Sequence, residues 1–95
     1  MPNYRLSNEA KMDLARIYWR GVDVFGAPQA EKYYQSLIER FDEIAEAPYQ
    51  YQSVDDIRDG YRRSVCGVDS IYYRMNGETV EIMRILGRQD IDDSL

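Results

Sequence analysis

"IYYRMNGETVEIMRIL", residues 71–86, holds two runs rich in β-branched and aromatic residues, joined across Asn76-Gly77. Asn-Gly between alternating apolar runs is the strongest short-range hairpin signal, a two-residue loop of type I′. With that loop at the centre, Met75 faces Glu78, Tyr73 faces Val80, Ile71 faces Ile82 and Asp69 faces Arg84. This surface is mostly apolar and should be the covered one. The other surface sets Tyr72 against Glu81 and Arg74 against Thr79, leaving Arg74 diagonal to Glu81. Each arginine thus gains a cross-strand carboxylate, an arrangement that contributes from a few tenths to about 1 kcal/mol. Arg84 leans toward the covered face, where an unpaired guanidinium is costly, so Asp69 is expected to neutralise it.

Working outward, Gly60 introduces Tyr61–Cys66 as a further strand and Gly67 marks the turn into Ser70–Met75. Thr79–Leu86 completes an antiparallel meander, and residues 49–60 read as a polar, Tyr- and Asp-rich connection. Upstream, Tyr4-Arg5-Leu6 is a short extended start, and Ser7 suits a helix N-cap with Glu9 in the first turn. Ala10, Leu14, Ile17, Gly21 and Val24 then recur at helical spacing. Gly26 ends that helix, and Pro28 sits where a first-turn proline is tolerated. Ala30, Tyr34, Leu37, Phe41 and Ile44 continue the rhythm until Ala47-Pro48 stops it. So short a link folds the two helices back on each other as an αα-hairpin. The expected fold is α+β: an N-terminal strand, a helical hairpin over about 8–47 packed on one face of an antiparallel sheet over about 61–86, and a tail over 87–95. The element order is β-α-α-β-β-β in one domain, a size that buries roughly 60–65% of the extended chain's surface.

Charge is unevenly placed over the 95 residues. Residues 1–57 carry net −4, residues 58–88 net +2 with arginine as the sole base, and residues 89–95 net −3, giving −5 in all. A bulk grip on nucleic acid is disfavoured, while arginines alone suit planar, bidentate contacts. There is no histidine. The usual neutral-pH proton shuttle and commonest metal ligand are missing, which argues against a metalloenzyme, and no cofactor is expected. Cys66 is the sole cysteine and has no partner within the chain for a disulfide. No apolar run reaches the ~20 residues that span a bilayer, and no secretory segment follows Met1, so a cytoplasmic protein is expected.

Met12, Ala15, Trp19 and Val22 form a second stripe on the first helix. Either Trp19 folds into the core, or the stripe is an apolar groove for a partner's helix, since Met and Trp are favoured anchors. Asp55, Asp56 and Asp59 could supply paired carboxylates for acid–base work, but in a polar loop they read as solvated. Cys66 lacks an adjacent base and reads as a small core residue.

Four blocks carry a family likeness. "YRLSNEAKMDLARI" (4–17), "FGAPQAEKYYQSLIERFDEIAEAP" (25–48), "DIRDGYRRSVCGVDSIYYR" (56–74) and "VEIMRILGRQDID" (80–92) resemble, in order, the successive segments of a ParE toxin of the RelE/ParE toxin–antitoxin superfamily. The resemblance implies the fold derived above. It also implies a toxin that poisons DNA gyrase and blocks replication, held in check by a ParD-type antitoxin. If the chain acts so, the local +2 charge of the sheet region makes Arg62, Arg74, Arg84, Arg88 and Tyr73 the candidates for target binding, and the second stripe of the first helix makes Met12 and Trp19 those for antitoxin binding; no residue is assigned a catalytic role. This chain departs from the family pattern at Phe25, where an aromatic Trp is usual, at Gly67-Val68-Asp69 in place of Gly-Ser-His, and at Gly87 in place of a histidine. The superfamily also contains ribosome-dependent mRNA endonucleases of the RelE kind, for which Arg62, Arg84, Tyr72 and Tyr73 would be the working groups. A third possibility is a degenerate, non-toxic member that only binds its partner.

Overall fold

The computed structural model describes residues 3–87. β1 (Tyr4–Leu6) is followed by α1 (Asn8–Phe25), α2 (Ala27–Glu46), β2 (Gln52–Ser53), β3 (Arg62–Cys66), β4 (Asp69–Asn76) and β5 (Thr79–Gly87). The sheet order is β1-β5-β4-β3-β2. β3, β4 and β5 form the expected antiparallel meander; β1 adds parallel to β5, so the sheet as a whole is mixed. β2 lies inside the stretch read as a connection, and it is only two residues long, too short to show a period.

Ser7 fixes the start of α1. Its Oγ accepts from Ala10 N–H at 3.0 Å and donates to Met83 O at 2.8 Å, while its own N–H donates to Ile82 O at 2.9 Å. One residue therefore caps the helix and ties it to β5. Gly26, at φ +89°, serves as the C-cap of α1 and the N-cap of α2, so the hairpin turns on a single residue. The helices approach closely at Gly21, where an added Cβ would stand 3.2 Å from that of Ala30.

The main core lies between the helical hairpin and one sheet face. Ala10 and Leu14 of α1 and Leu37, Phe41 and Ile44 of α2 pack on Ile71, Tyr73, Val80, Ile82 and Ile85. Removing a buried aromatic such as Phe41 would cost about 3–5 kcal/mol. Two of the expected core positions fall outside it. Val24 is exposed because it belongs to the last turn of α1, beyond the stretch that packs on the sheet, and Tyr34 turns outward to meet Tyr18.

The hairpin register differs from the sequence expectation in two ways. The loop is Gly77-Glu78, with Asn76 opposite Thr79. Gly77 has φ +63° and, among the described residues, no non-glycine residue has positive φ, so the turn needs glycine only at its first position, as in type II′. Met75 thus faces Val80, Tyr73 faces Ile82, and Arg74 faces Glu81 directly. Beyond this, a bulge leaves Met83 without an opposite number: Tyr72 faces Arg84 and Ile71 faces Ile85. The inserted residue explains how Ile82 and Ile85, three apart, both enter the main core. It also places Asp69 opposite Gly87, so the expected Asp69–Arg84 pair does not form.

A second, smaller core covers the other face. Val54 and Tyr61, from the segment between β2 and β3, bury Tyr72 and Leu86, with Ile57 and Met83 at the margin. Asp55 Oδ1 closes that segment by accepting from Gly60 N–H at 2.8 Å. Its carboxyl is held below the usual range by that bond and by a second from Ser53.

Candidate functional site

At the hairpin-tip end of the sheet, Arg62 stands opposite Tyr73 on the face that carries the helices. Its Nη1 donates to Tyr51 O at 2.8 Å, and its guanidinium lies 5.1 Å from the centroid of the Tyr49 ring. Tyr73 is fully buried; its hydroxyl donates to Pro48 O, and its ring meets Tyr51 edge-on at 6.4 Å. Burial pushes the Tyr73 hydroxyl up to about 12 against the opposing pull of Arg62. These two residues brace the segment that leaves α2. Tyr73 has no surface with which to touch a target.

Arg74 is on the opposite face at the same end. Glu81 lies between it and Arg5: Arg74 Nε donates to Glu81 Oε1 at 2.8 Å, and Arg5 Nε to Oε2 at 2.9 Å. Hydrogen bonds from Arg74 and then Arg5 hold the Glu81 carboxyl below the usual range. Two cations about one carboxylate leave a net positive cluster on an exposed rim.

Arg84 points elsewhere. Its Nε and Nη2 meet Asp13 Oδ2 and Oδ1 at 2.7 and 3.0 Å, a bidentate pair, and Ile85 N–H donates to the same Asp13 Oδ2 at 3.0 Å. Arg16 adds a donor to Ile85 O at 3.2 Å. β1 stops opposite Ile82, and α1 side chains take over the β5 edge from there. Burial raises the Asp13 carboxyl, but the bonds from Arg84 and Ile85 outweigh it and hold it below the usual range. Asp69, the partner expected for Arg84, instead lies 2.8 Å from the Tyr33 hydroxyl, which is also 2.9 Å from Cys66 O. Burial, then Asp69, raises the Tyr33 hydroxyl strongly. The Tyr33 ring roofs the β3–β4 turn so closely that a Cβ on Gly67 (φ +62°) would stand 2.5 Å from it.

The five target-binding candidates do not form one patch. Arg62 and Arg74 share the hairpin-tip end on opposite faces, Tyr73 is buried between them, and Arg84 faces α1. Arg88 lies outside the described residues.

The stripe on α1 is exposed. Trp19 is 64% and Met12 72% accessible, so Trp19 does not fold into the core. Trp19 meets Tyr18 edge-on at 5.1 Å, and Tyr18 meets Tyr34 at 5.8 Å. These rings wall a groove of about 710 Å³ between the helices, floored by Leu6, Leu14 and Ala15; Met12 is not part of its wall. Sequence spacing found Trp19 but missed Tyr18 and Tyr34, because Tyr34 falls on the core rhythm of α2. It also missed Asp13, although Asp13 sits between Ala10 and Leu14 on the covered face of α1, where an acid calls for a partner.

Among the described residues, no cluster of three or more His, Cys, Asp or Glu could hold a metal, and no helix is long and apolar enough to cross a membrane. Residues 4–91 match the family model of the ParE toxin of type II toxin–antitoxin systems, parDE. The chain belongs to the ParE toxin family. It is 36% identical over 94 residues to Toxin ParE1 of Mycobacterium tuberculosis, covering 97% of this chain and 96% of that protein. To Toxin ParE1 of Caulobacter vibrioides it is 40% identical over 86 residues, covering 90% and 88%. The fold matches that of a chromosomal ParDE system from P. aeruginosa with a TM-score of 0.80, 24% identity and coverage of 92% and 96%. It also matches a conserved hypothetical protein from Helicobacter pylori in solution, with a TM-score of 0.61, 14% identity and coverage of 94% and 97%. A ParE toxin built on a helical hairpin over a five-stranded sheet is therefore the frame for the groove and the arginines described above.

Proposed function

We propose that this ParE toxin acts in the cytoplasm by occupying DNA gyrase, without catalysis, and that a ParD-type antitoxin neutralises it. The observation that carries the reading is that Arg62, Tyr73 and Arg84 are committed to structural contacts, while Tyr72, whose hydroxyl has no hydrogen-bond partner, is fully buried. RNA cleavage through the 2′-hydroxyl needs a base, an acid and cations turned toward a phosphate. Arg62 braces Tyr51, Tyr73 is bonded to Pro48, and Arg84 is held by Asp13. None of these groups is poised to move a proton at a bound phosphodiester. The exposed Arg74–Glu81–Arg5 cluster is suited to meeting an acidic protein surface, with Arg62 contributing at the same end of the sheet. Arg84 acts through α1, by holding β5 in place.

The Trp19 groove is the dock for the antitoxin. It is apolar, aromatic-walled and formed between two helices, the setting in which a partner's amphipathic segment gains most from burial. Polar Lys11, Glu31 and Gln35 rim it.

The test is purified toxin added to gyrase in a supercoiling assay, beside ribosomes programmed with mRNA. The expected result is blocked supercoiling and intact transcripts, with the block weakened at least tenfold by Arg74→Glu. Cleaved transcripts with unhindered supercoiling would replace this account by the nuclease.

A further inference from the structure

Three neighbouring strands place three charged residues in line. Arg5 of β1 and Arg74 of β4 both stand directly opposite Glu81, and β5, which carries it, runs between the other two strands. Their chain neighbours Tyr4, Leu6, Tyr73, Met75, Val80 and Ile82 belong to the main core, so alternation turns all three toward the face without helices. Strand spacing sets the two arginines about 10 Å apart at the backbone.

Exposure in this row is lopsided. The Glu81 side chain is only 11% exposed, whereas those of Arg5 and Arg74 are 61% and 45% exposed. A single guanidinium is enough to neutralise one sheltered carboxylate. The second brings like charge alongside the first, so stability alone does not call for it. The bonding is divided as well. Arg74 spends Nε on Glu81 Oε1, and Arg5 spends Nε and Nη2 on Oε2. Both Nη groups of Arg74, and Nη1 of Arg5, make no hydrogen bond among the described residues. Each planar fork is therefore anchored on one side and open on the other. The small second core covers the neighbouring Tyr72 and leaves both forks exposed.

Fixed guanidinium forks match carboxylates in shape as well as in charge. Duplex DNA is a poorer fit, because its grip rests on neutralising many phosphates and the chain's net charge of −5 opposes it. Two forks around a fixed acid suffice for a pair of carboxylates on a protein segment.

We propose that Glu81 is a positioning residue, aiming Arg5 and Arg74 as a double receptor for an acidic segment of a partner protein. The inference rests on the reading of this cluster as the target-facing one, and it specifies what the target presents there: two carboxylates, one for each fork.

The test exploits a conflict of sign. Glu81→Gln removes a negative charge, so a merely cationic patch would bind anions more tightly after it, whereas loss of a positioning carboxylate weakens them. Full-length toxin is titrated at low ionic strength with a fluorescent peptide of alternating Asp and Gly, and separately with a DNA duplex of equal charge. Glu81→Gln should weaken the peptide at least threefold, and the duplex should bind no better than the peptide. The Nε–H resonances of Arg5 and Arg74, slow to exchange in the wild type, should quicken in Glu81→Gln while the backbone spectrum is kept. Arg5→Lys keeps the charge and, at an exposed site, the fold; it should also weaken the peptide at least threefold, where charge alone predicts no change. Peptide binding that is unchanged or tighter in Glu81→Gln, or unchanged in Arg5→Lys, overturns the proposal. A clear preference for the duplex overturns it equally. The supercoiling assay separates this inference from its premise. Gyrase blocked equally by wild type and Glu81→Gln overturns the proposal and leaves the gyrase reading standing; gyrase untouched by toxin whose peptide binding responds as expected supports the proposal and removes the gyrase reading.

Discussion

Replacing Asp13 with Ala tests the link between α1 and the outer half of β5. The carboxylate is nearly inaccessible, receives two bonds from Arg84 and one from Ile85 N–H, and has Arg16 at 3.6 Å. Deleting it strands the Ile85 N–H, worth about 1–3 kcal/mol. It also removes the carboxylate half of the Asp13–Arg84 pair. Breaking a fully buried pair costs about 3–5 kcal/mol, but the Arg84 side chain keeps 24% of its exposure, so water recovers part of that. The total is roughly 2–4 kcal/mol, a large fraction of the ~5–15 kcal/mol available to a domain. Urea denaturation at pH 7 should show this fall at unchanged slope. Asp13→Asn retains an acceptor for Ile85 and should lose about half as much. The pH dependence has a definite sign. Asp13 is held below its unfolded value, so its stabilisation is fully present above that value and is lost as pH falls through the folded one. The gap between wild type and Asp13→Ala should therefore narrow as pH falls below about 4, the Ile85 N–H bond surviving to a neutral carboxyl. A loss under about 0.5 kcal/mol at pH 7, or a gap independent of pH, would refute the reasoning.

Gly67→Ala should destabilise by about 1–3 kcal/mol, because alanine is strained at φ +62° and its methyl group meets the Tyr33 ring; calorimetry reads the shift. Trp19→Ala should loosen antitoxin binding at least tenfold, about 1.4 kcal/mol, with no change in Tm, as measured by isothermal titration. Tyr73→Phe should cost about 1 kcal/mol from the lost bond to Pro48 O while leaving growth arrest intact; a nuclease that uses this phenol would instead be inactivated.

Much of the fold was written in local pattern. Ser7, Gly26 and Pro28 punctuate the helices by their own backbone chemistry, and the apolar rhythm of α1 and α2 names most of the core. The register was not legible, because Asn76-Gly77 suits one loop placement locally, while a shift onto Gly77-Glu78 and the bulge at Met83 let Ile82 and Ile85 share one core. That is a tertiary preference, and no window of sixteen residues contains it. The same limit hid the partner of Arg84. Asp13 is 71 residues away in sequence, and only the docking of α1 on the β5 edge brings the two together. The far face was misjudged for a related reason: Val54 and Tyr61 sit in a polar-looking segment that folds over Tyr72 and Leu86. Trp19, by contrast, declared itself through helical spacing, since exposure of a large aromatic leaves its stripe visible.

Stoichiometry separates holding from cutting more directly than any substitution. Toxin is titrated against a fixed amount of gyrase, and separately against ribosomes bearing a labelled transcript, and the amount of target lost per toxin molecule is counted. The account predicts that gyrase is lost in proportion to toxin bound, about one for one, and that transcripts stay whole at any dose. Many transcripts cut by each toxin molecule, with gyrase untouched, would contradict it.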